Sequence, residues 1–269
     1  MSNVGAVLAQ TRAEGRAALV GYLPVGFPDV QGSIDAMVAM VEAGVDIVEI
    51  GVPYSDPLMD GPVIAHAADV ALAGGTRLKD VFTAVRAVAD AGAPALVMTY
   101  WNPVLRYGVD LFAEDLAKAG GAGLITPDLI PEEAAEWTAA ARRNDLDQIF
   151  LVAPSSTPQR LRSTTAACTG FVYAASSMGV TGTRTTVGDA AQVLVNRTRE
   201  MTDLPICVGL GVSTGAQAAQ VAAFADGVIV GSALVRCLTD SGSLIDGLTS
   251  VRELSAELAA GVRKGVLTS

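Results

Sequence analysis

The 269-residue chain carries a formal net charge of −10, and its Lys and Arg are scattered without the basic stripe that a nucleic-acid backbone requires. No apolar run approaches the ~18 residues that suggest a membrane span, and Arg12, Glu14 and Arg16 interrupt the stretch where a secretory signal would sit. Cys168, Cys207 and Cys237 are odd in number and far apart, which argues against a zinc or redox motif and for a reduced, cytoplasmic setting.

Apolar residues make up 51% of the chain and aromatics only 5%, a composition suited to small strands and helices layered around one core. Residues 19–23 form the first predicted strand. Residues 33–43 have the spacing of an amphipathic helix, with Ile34, Met37, Val38 and Val41 on one face; Gly44 stops it and the apolar strand 45–50 follows. The same order recurs around 111–119 before strand 123–126, and around 216–224 before strand 227–230. Further strands at 95–100, 148–153, 170–174 and 205–208 bring the total to eight. Apolar strands alternating with helices favour an α/β fold of the (β/α)8 TIM-barrel type, a single domain over 1–269 with extra short helices. An open doubly wound sheet has strands of the same character and remains an alternative. The longest connections, 52–62 and 176–188, follow strands two and six, on the face where barrels carry their active sites.

Glu49 sits one residue before the end of the second strand, and alternation sends it with Ile47 to the side opposite Val48 and Ile50. If helices cover Val48 and Ile50, Glu49 enters the barrel mouth, where a carboxylate is costly unless paired, neutralised or used. The competing reading is a structural ion pair with an Arg or a backbone amide. Asp60 follows on a loop stiffened by Pro53, Pro57 and Pro62, and is a candidate either for catalysis or for capping the next helix.

Glycine-bearing segments after the last three strands, at 179–184, 209–213 and 231–234, suit backbone binding of a phosphate, although each glycine alone also suits a turn. Lys79, Lys118 and Lys264 fall in predicted helices or the tail, which leaves a Schiff-base aldolase without its nucleophile. His66 is the sole histidine, so metal and triad chemistry lack residues. Carboxylate acid–base catalysis on a small phosphorylated molecule survives. Other phosphate-binding barrels that act on phosphosugars or prenyl phosphates usually recruit lysine, metal or a second acid pair. A non-catalytic regulatory subunit is the rival from another class, and the presence of both acids argues against it.

Over nearly its whole length the chain resembles the tryptophan synthase alpha subunit family. The resemblance rests on Val48-Glu49-Ile50-Gly51-Val52-Pro53-Tyr54-Ser55-Asp56-Pro57, Asp60-Gly61-Pro62, Pro127-Asp128-Leu129 and Gly179-Val180-Thr181-Gly182. It implies a lyase that cleaves indole-3-glycerol phosphate by a retro-aldol reaction to indole and glyceraldehyde 3-phosphate. It further implies catalytic roles for Glu49, Asp60 and Tyr173, although a packed core tyrosine is the plainer reading of the last. Gly182, Gly211, Gly231 and Ser232 would hold the phosphate, Tyr22 and Tyr100 would wall the indole pocket, and Thr181 would sit on a closing loop. No cofactor or metal is implied in this chain; the implied partner is a beta subunit carrying pyridoxal phosphate, in an alpha2-beta2 tetramer. Tyr54 and Leu210 stand where the family commonly has phenylalanine, Met59 where a small residue is usual, and Pro24 where a polar residue is often seen. These departures bear on substrate fit and partner affinity and leave both acids in place.

Overall fold

The computed structural model describes residues 3–176, 189–209 and 211–265. Helix α1 (Asn3–Ala13) precedes β1 (Ala18–Pro24), α2 (Val30–Glu42) and β2 (Ile47–Gly51). Then come α3 (Pro62–Ala73), α4 (Leu78–Asp90), β3 (Ala95–Met98), α5 (Trp101–Tyr107), α6 (Val109–Lys118) and β4 (Gly123–Ile125). A 3-10 turn at Pro131–Glu133 leads to α7 (Ala135–Arg143), β5 (Asp147–Ile149), β6 (Leu151–Val152), α8 (Pro158–Ala167) and β7 (Val172–Ala175). Next are α9 (Asp189–Arg199), β8 (Ile206–Gly209), α10 (Gly215–Ala222), β9 (Gly227–Val230), α11 (Ser232–Thr239) and α12 (Leu244–Lys264).

Local chemistry sets several of these boundaries. Asp29 caps α2 by accepting from the Gly32 N–H at 2.8 Å, so the helix begins at Val30, ahead of its apolar pattern. Gly44 turns the chain from α2 into β2 with φ of 103°, a backbone that side chains rarely tolerate. β3 stops at Met98, short of the predicted 100, because Tyr100 becomes the N-cap residue of α5. The Asp128 carboxylate accepts the first N–H of that helix, from Trp101, at 2.9 Å.

All strand pairs among the described residues are parallel, in the order β5-β4-β3-β2-β1-β9-β8-β7-β6. The two ends of that order are neighbours in sequence, separated only by Phe150, so the sheet curls into a nearly closed barrel and the open-sheet alternative falls. The predicted strand 148–153 is therefore two pieces: β5 bonds to β4, and β6 to β7. Phe150 lies at the change of partner, 1% exposed, with its N–H facing the Cys168 thiol at 3.4 Å.

Two apolar layers follow from strand alternation. Val20, Ile47, Leu96, Ile125, Ile149, Phe171, Cys207 and Ile229 fill the barrel, and Val4 and Leu8 of α1 pack beneath them as its floor. Val48 and Ile50 belong to the outer layer, with Met37 and Met40 of α2 and Val81, Val85 and Val88 of α4. Each such side chain contributes roughly 1.5–3 kcal/mol on burial. The extra short helices are present as α5 and α11, and a long loop follows β2; the loop expected after the sixth barrel strand lies outside the described residues. Among the described residues no helix is long and apolar enough to cross a membrane.

Helices α10 and α12 meet backbone to backbone. Gly215 donates its N–H to the Glu257 carboxylate at 2.7 Å, and a Cβ on Gly261 would collide with the Gly215 main chain. Gly261→Ala is expected to lower stability by about 1–3 kcal/mol, because backbone must move to admit the methyl group. Urea unfolding checks this, and an unchanged midpoint would contradict the close approach.

Candidate active site

Glu49 is held from both sides: Tyr22 of β1 lies opposite it in one ladder and Leu96 of β3 in the other. Its direction is the one alternation demands, into the barrel with Ile47. The residue is 0% exposed, and neither carboxylate oxygen has a hydrogen-bond partner among the described residues. The structural ion pair is thus not what the described residues show. Burial alone pushes the Glu49 acid up to about 8, because the anion has lost its water without gaining a counter-charge.

A cavity of ≈ 170 Å³ opens above this carboxyl group. Glu49, Asp60, Tyr22, Tyr100, Tyr173, Gly211, Gly231 and Ser232 all line it, so residues spread from position 22 to position 232 converge. Thr181, Gly182 and Leu210 lie outside the described residues.

Asp60 reaches the cavity from the loop after β2. Its Oδ1 accepts the Tyr100 hydroxyl at 3.0 Å, and the same hydroxyl oxygen accepts the Met59 N–H at 3.1 Å. Tyr100 therefore clamps the loop at two consecutive residues. The helix-cap reading fails, since Gly61 occupies the N-cap of α3 and no side chain caps it. Burial raises the Asp60 acid above its ordinary value, and the Tyr100 hydrogen bond opposes that rise. Tyr54 packs its ring on Tyr100 at 5.4 Å and accepts from Asn102 Nδ2 at 3.1 Å. The extra hydroxyl that marks Tyr54 as a departure thus has a partner.

Tyr22 and Tyr173 stand beside Glu49 inside the barrel mouth. Burial, then the charges of Asp60 and Glu49, hold the Tyr22 phenol well above its usual range; burial and then Glu49 do the same for Tyr173. Both remain neutral phenols. Gly51 makes room for the Tyr22 hydroxyl, and a Cβ on Gly209 would fall 2.7 Å from the Tyr173 oxygen.

Bare main chain lines another part of the cavity. Gly231 is the N-cap residue of α11, whose first turn begins at Ser232 and lacks a side-chain cap. Gly211, at φ of 70°, adds backbone after β8. Uncapped N–H groups at a helix start form an anion site. Met98, Ile229, Ile64 and Pro127 supply apolar walls that sequence reasoning missed. Alternation could have found Met98, two residues beyond Leu96, and Ile229, two before Gly231; Ile64 and Pro127 carry no local signal. Lys79, Lys118 and Lys264 sit on α4, α6 and α12, away from this lining, and His66 is exposed on α3 with its ring edge toward Phe27.

Comparison with known proteins gives one answer. The profile of the family described as "Tryptophan synthase alpha chain" matches residues 8–263. The tryptophan synthase alpha chain of Salinispora arenicola is 64% identical, covering 98% of each chain. That of Mycobacterium avium is 62% identical over 100% of this chain and 97% of its own length. A crystal structure of ligand-free tryptophan synthase from M. tuberculosis superposes with a TM-score of 0.90 at 58% identity, over 98% of this chain and 100% of that one.

The buried acid makes stability depend on pH in a defined direction. Because folding raises Glu49 from 4.5 to about 8, the folded state binds the proton more tightly, so this contribution is fully present below 4.5 and is lost as pH rises through about 8. Glu49→Gln removes that dependence and is expected to stabilise the protein above pH 8, by up to about 4 kcal/mol. Thermal unfolding of both proteins at pH 5 and pH 9 tests it; an equal difference at the two pH values would show that Glu49 is not desolvated.

Proposed function

The chain belongs to the tryptophan synthase alpha chain family, and from that membership we propose how its cavity cleaves indole-3-glycerol phosphate to indole and glyceraldehyde 3-phosphate. The observation that carries the assignment of roles is the unpaired, buried Glu49 sharing one cavity with Asp60.

The carbon–carbon bond to be broken joins ring carbon 3 to the hydroxyl-bearing carbon of the glycerol chain. Glu49, with its acid form favoured up to about pH 8, delivers its proton to ring carbon 3. The ring becomes cationic at nitrogen, and Asp60 accepts the ring N–H and stabilises that charge. Glu49, now a carboxylate, removes the proton from the adjacent hydroxyl. The carbon–carbon bond breaks, the oxygen becomes the aldehyde carbonyl, and the electron pair restores neutral indole. Glu49 ends protonated as it began, so one carboxyl group carries a proton from oxygen to carbon. Tyr173, a neutral phenol beside Glu49, positions the reacting hydroxyl region. The absence of lysine from the described lining supports acid–base cleavage without a Schiff base.

The phosphate is assigned to Gly231 and Ser232, at the uncapped start of α11, and to Gly211 in the segment after β8, together with Gly182. Tyr22 and Tyr100, with Met98 and Ile229, wall the flat ring. A beta subunit receives the indole in an alpha2-beta2 assembly, and pyridoxal phosphate belongs to that subunit. Cys168, Cys207 and Cys237 are free of disulfides, which supports a cytoplasmic location.

Glu49→Gln is expected to cut indole formation by about 10²–10⁴-fold, and Asp60→Asn by about 10²–10³-fold, with the fold retained. Assays on indole-3-glycerol phosphate with a beta subunit present decide this, and normal turnover by Glu49→Gln would overturn the proton shuttle. Tyr100→Phe deletes the hydrogen bond that lowers the Asp60 acid, so the acid limb of the kcat/KM profile is expected to move to higher pH. An unmoved limb would remove Tyr100 from this role.

A further inference from the structure

One polar group in the barrel mouth takes no part in the proton transfer or in the phosphate site: the Tyr22 hydroxyl. Tyr22 lines the cavity, its hydroxyl makes no hydrogen bond among the described residues, and unlike the two Glu49 oxygens it is not sealed from the cavity. A polar group without a protein partner in a closing pocket is satisfied only by what fills the pocket. Burial, then the charges of Asp60 and Glu49, keep the proton on this phenol, so it is a donor as well as an acceptor.

Strand order fixes which part of a ligand passes Tyr22. β1 lies between β2, which carries Glu49, and β9, which leads into Gly231 and Ser232. Tyr22 stands opposite Glu49 in the β1–β2 ladder. The root of its side chain lies against Gly231, where an added Cβ would stand 3.2 Å from the Tyr22 Cδ1 and 3.5 Å from its Cβ, and its hydroxyl tip lies over Gly51. The side chain therefore spans the gap between the phosphate end of the cavity and the reacting acid. In indole-3-glycerol phosphate a single carbon joins the reacting carbon to the phosphate-bearing one, and it carries a hydroxyl. A chain held at Gly231 by its phosphate and at Glu49 by its reacting carbon brings that second hydroxyl past Tyr22.

We propose that the Tyr22 hydroxyl hydrogen-bonds this second hydroxyl and makes the enzyme selective for a hydroxylated over a deoxy substrate, an inference that rests on the reaction and phosphate site proposed for the cavity. The bond exists before and during carbon–carbon cleavage, so it acts on KM more than on kcat. A substrate without the hydroxyl leaves the phenol unpaired in a filled cavity and is discriminated against.

The test compares kcat/KM for indole formation, with a beta subunit present, from indole-3-glycerol phosphate and from 3-hydroxy-3-(indol-3-yl)propyl phosphate, which lacks only the second hydroxyl. The same bond breaks in both, giving indole and a phosphorylated aldehyde. The wild-type protein is expected to prefer the hydroxylated substrate. Tyr22→Phe keeps the ring and its contacts with Gly51 and Gly231, and is expected to lower that preference by about tenfold, chiefly through a higher KM for indole-3-glycerol phosphate. A ratio of two kcat/KM values from one preparation does not depend on how much of it is folded, so a loss of stability cannot imitate this result. Cleavage of indole-3-glycerol phosphate with no wild-type preference, or with a preference that Tyr22→Phe leaves unchanged, would overturn the role of Tyr22 alone. No cleavage by the wild-type protein would overturn the assigned reaction and this role with it.

Discussion

Removal of a carboxyl group from water, without a counter-charge in exchange, is the constraint around which this barrel mouth is organised. Glu49 occupies a central strand, flanked in register by Tyr22 and Leu96, and cannot swing outward because its neighbours Val48 and Ile50 are packed against the helices. Had an arginine stood within reach, the acid would have been held as a permanent anion. Its solitude keeps the proton available near neutral pH, and a group that both donates and accepts a proton needs that intermediate affinity.

The second acid is placed by different means. Glu49 is fixed by two strand ladders, whereas Asp60 comes from a loop and depends on one phenol for its position. Tyr100 gains rigidity in turn from the start of α5, where Asp128 ties down the Trp101 N–H, and from the ring of Tyr54. A chain of contacts thus runs from the end of β4 to the carboxylate. The two acids differ in environment as they do in support: one has no polar partner, the other has a hydroxyl that favours its ionised form.

The succession of strands and helices that favours a barrel, and the inward direction of Glu49, were legible because apolar periodicity needs only neighbouring residues. The glycines at 211 and 231 were legible for a similar reason, as breaks immediately after strands. What escaped depends on contacts between distant segments. The interruption at Phe150 exists because the barrel changes partner there, which no local pattern records. The bond from Tyr100 to Asp60 spans 40 residues, and it holds in the cavity a carboxylate that local pattern leaves equally suited to a helix cap. Helix α2 begins earlier than its apolar stripe because Asp29 supplies a cap, a local signal that apolar periodicity does not carry.

The two phenols in the barrel mouth have one further implication. Tyr22 occupies the space above Gly51, and Tyr173 the space above Gly209, so each tyrosine and its glycine share a single allotment of volume. A side chain added at either glycine demands a smaller ring or none at the matching tyrosine. A redesign that widens the mouth for a bulkier ligand thereby has two independent places to trade atoms while the acids stay put.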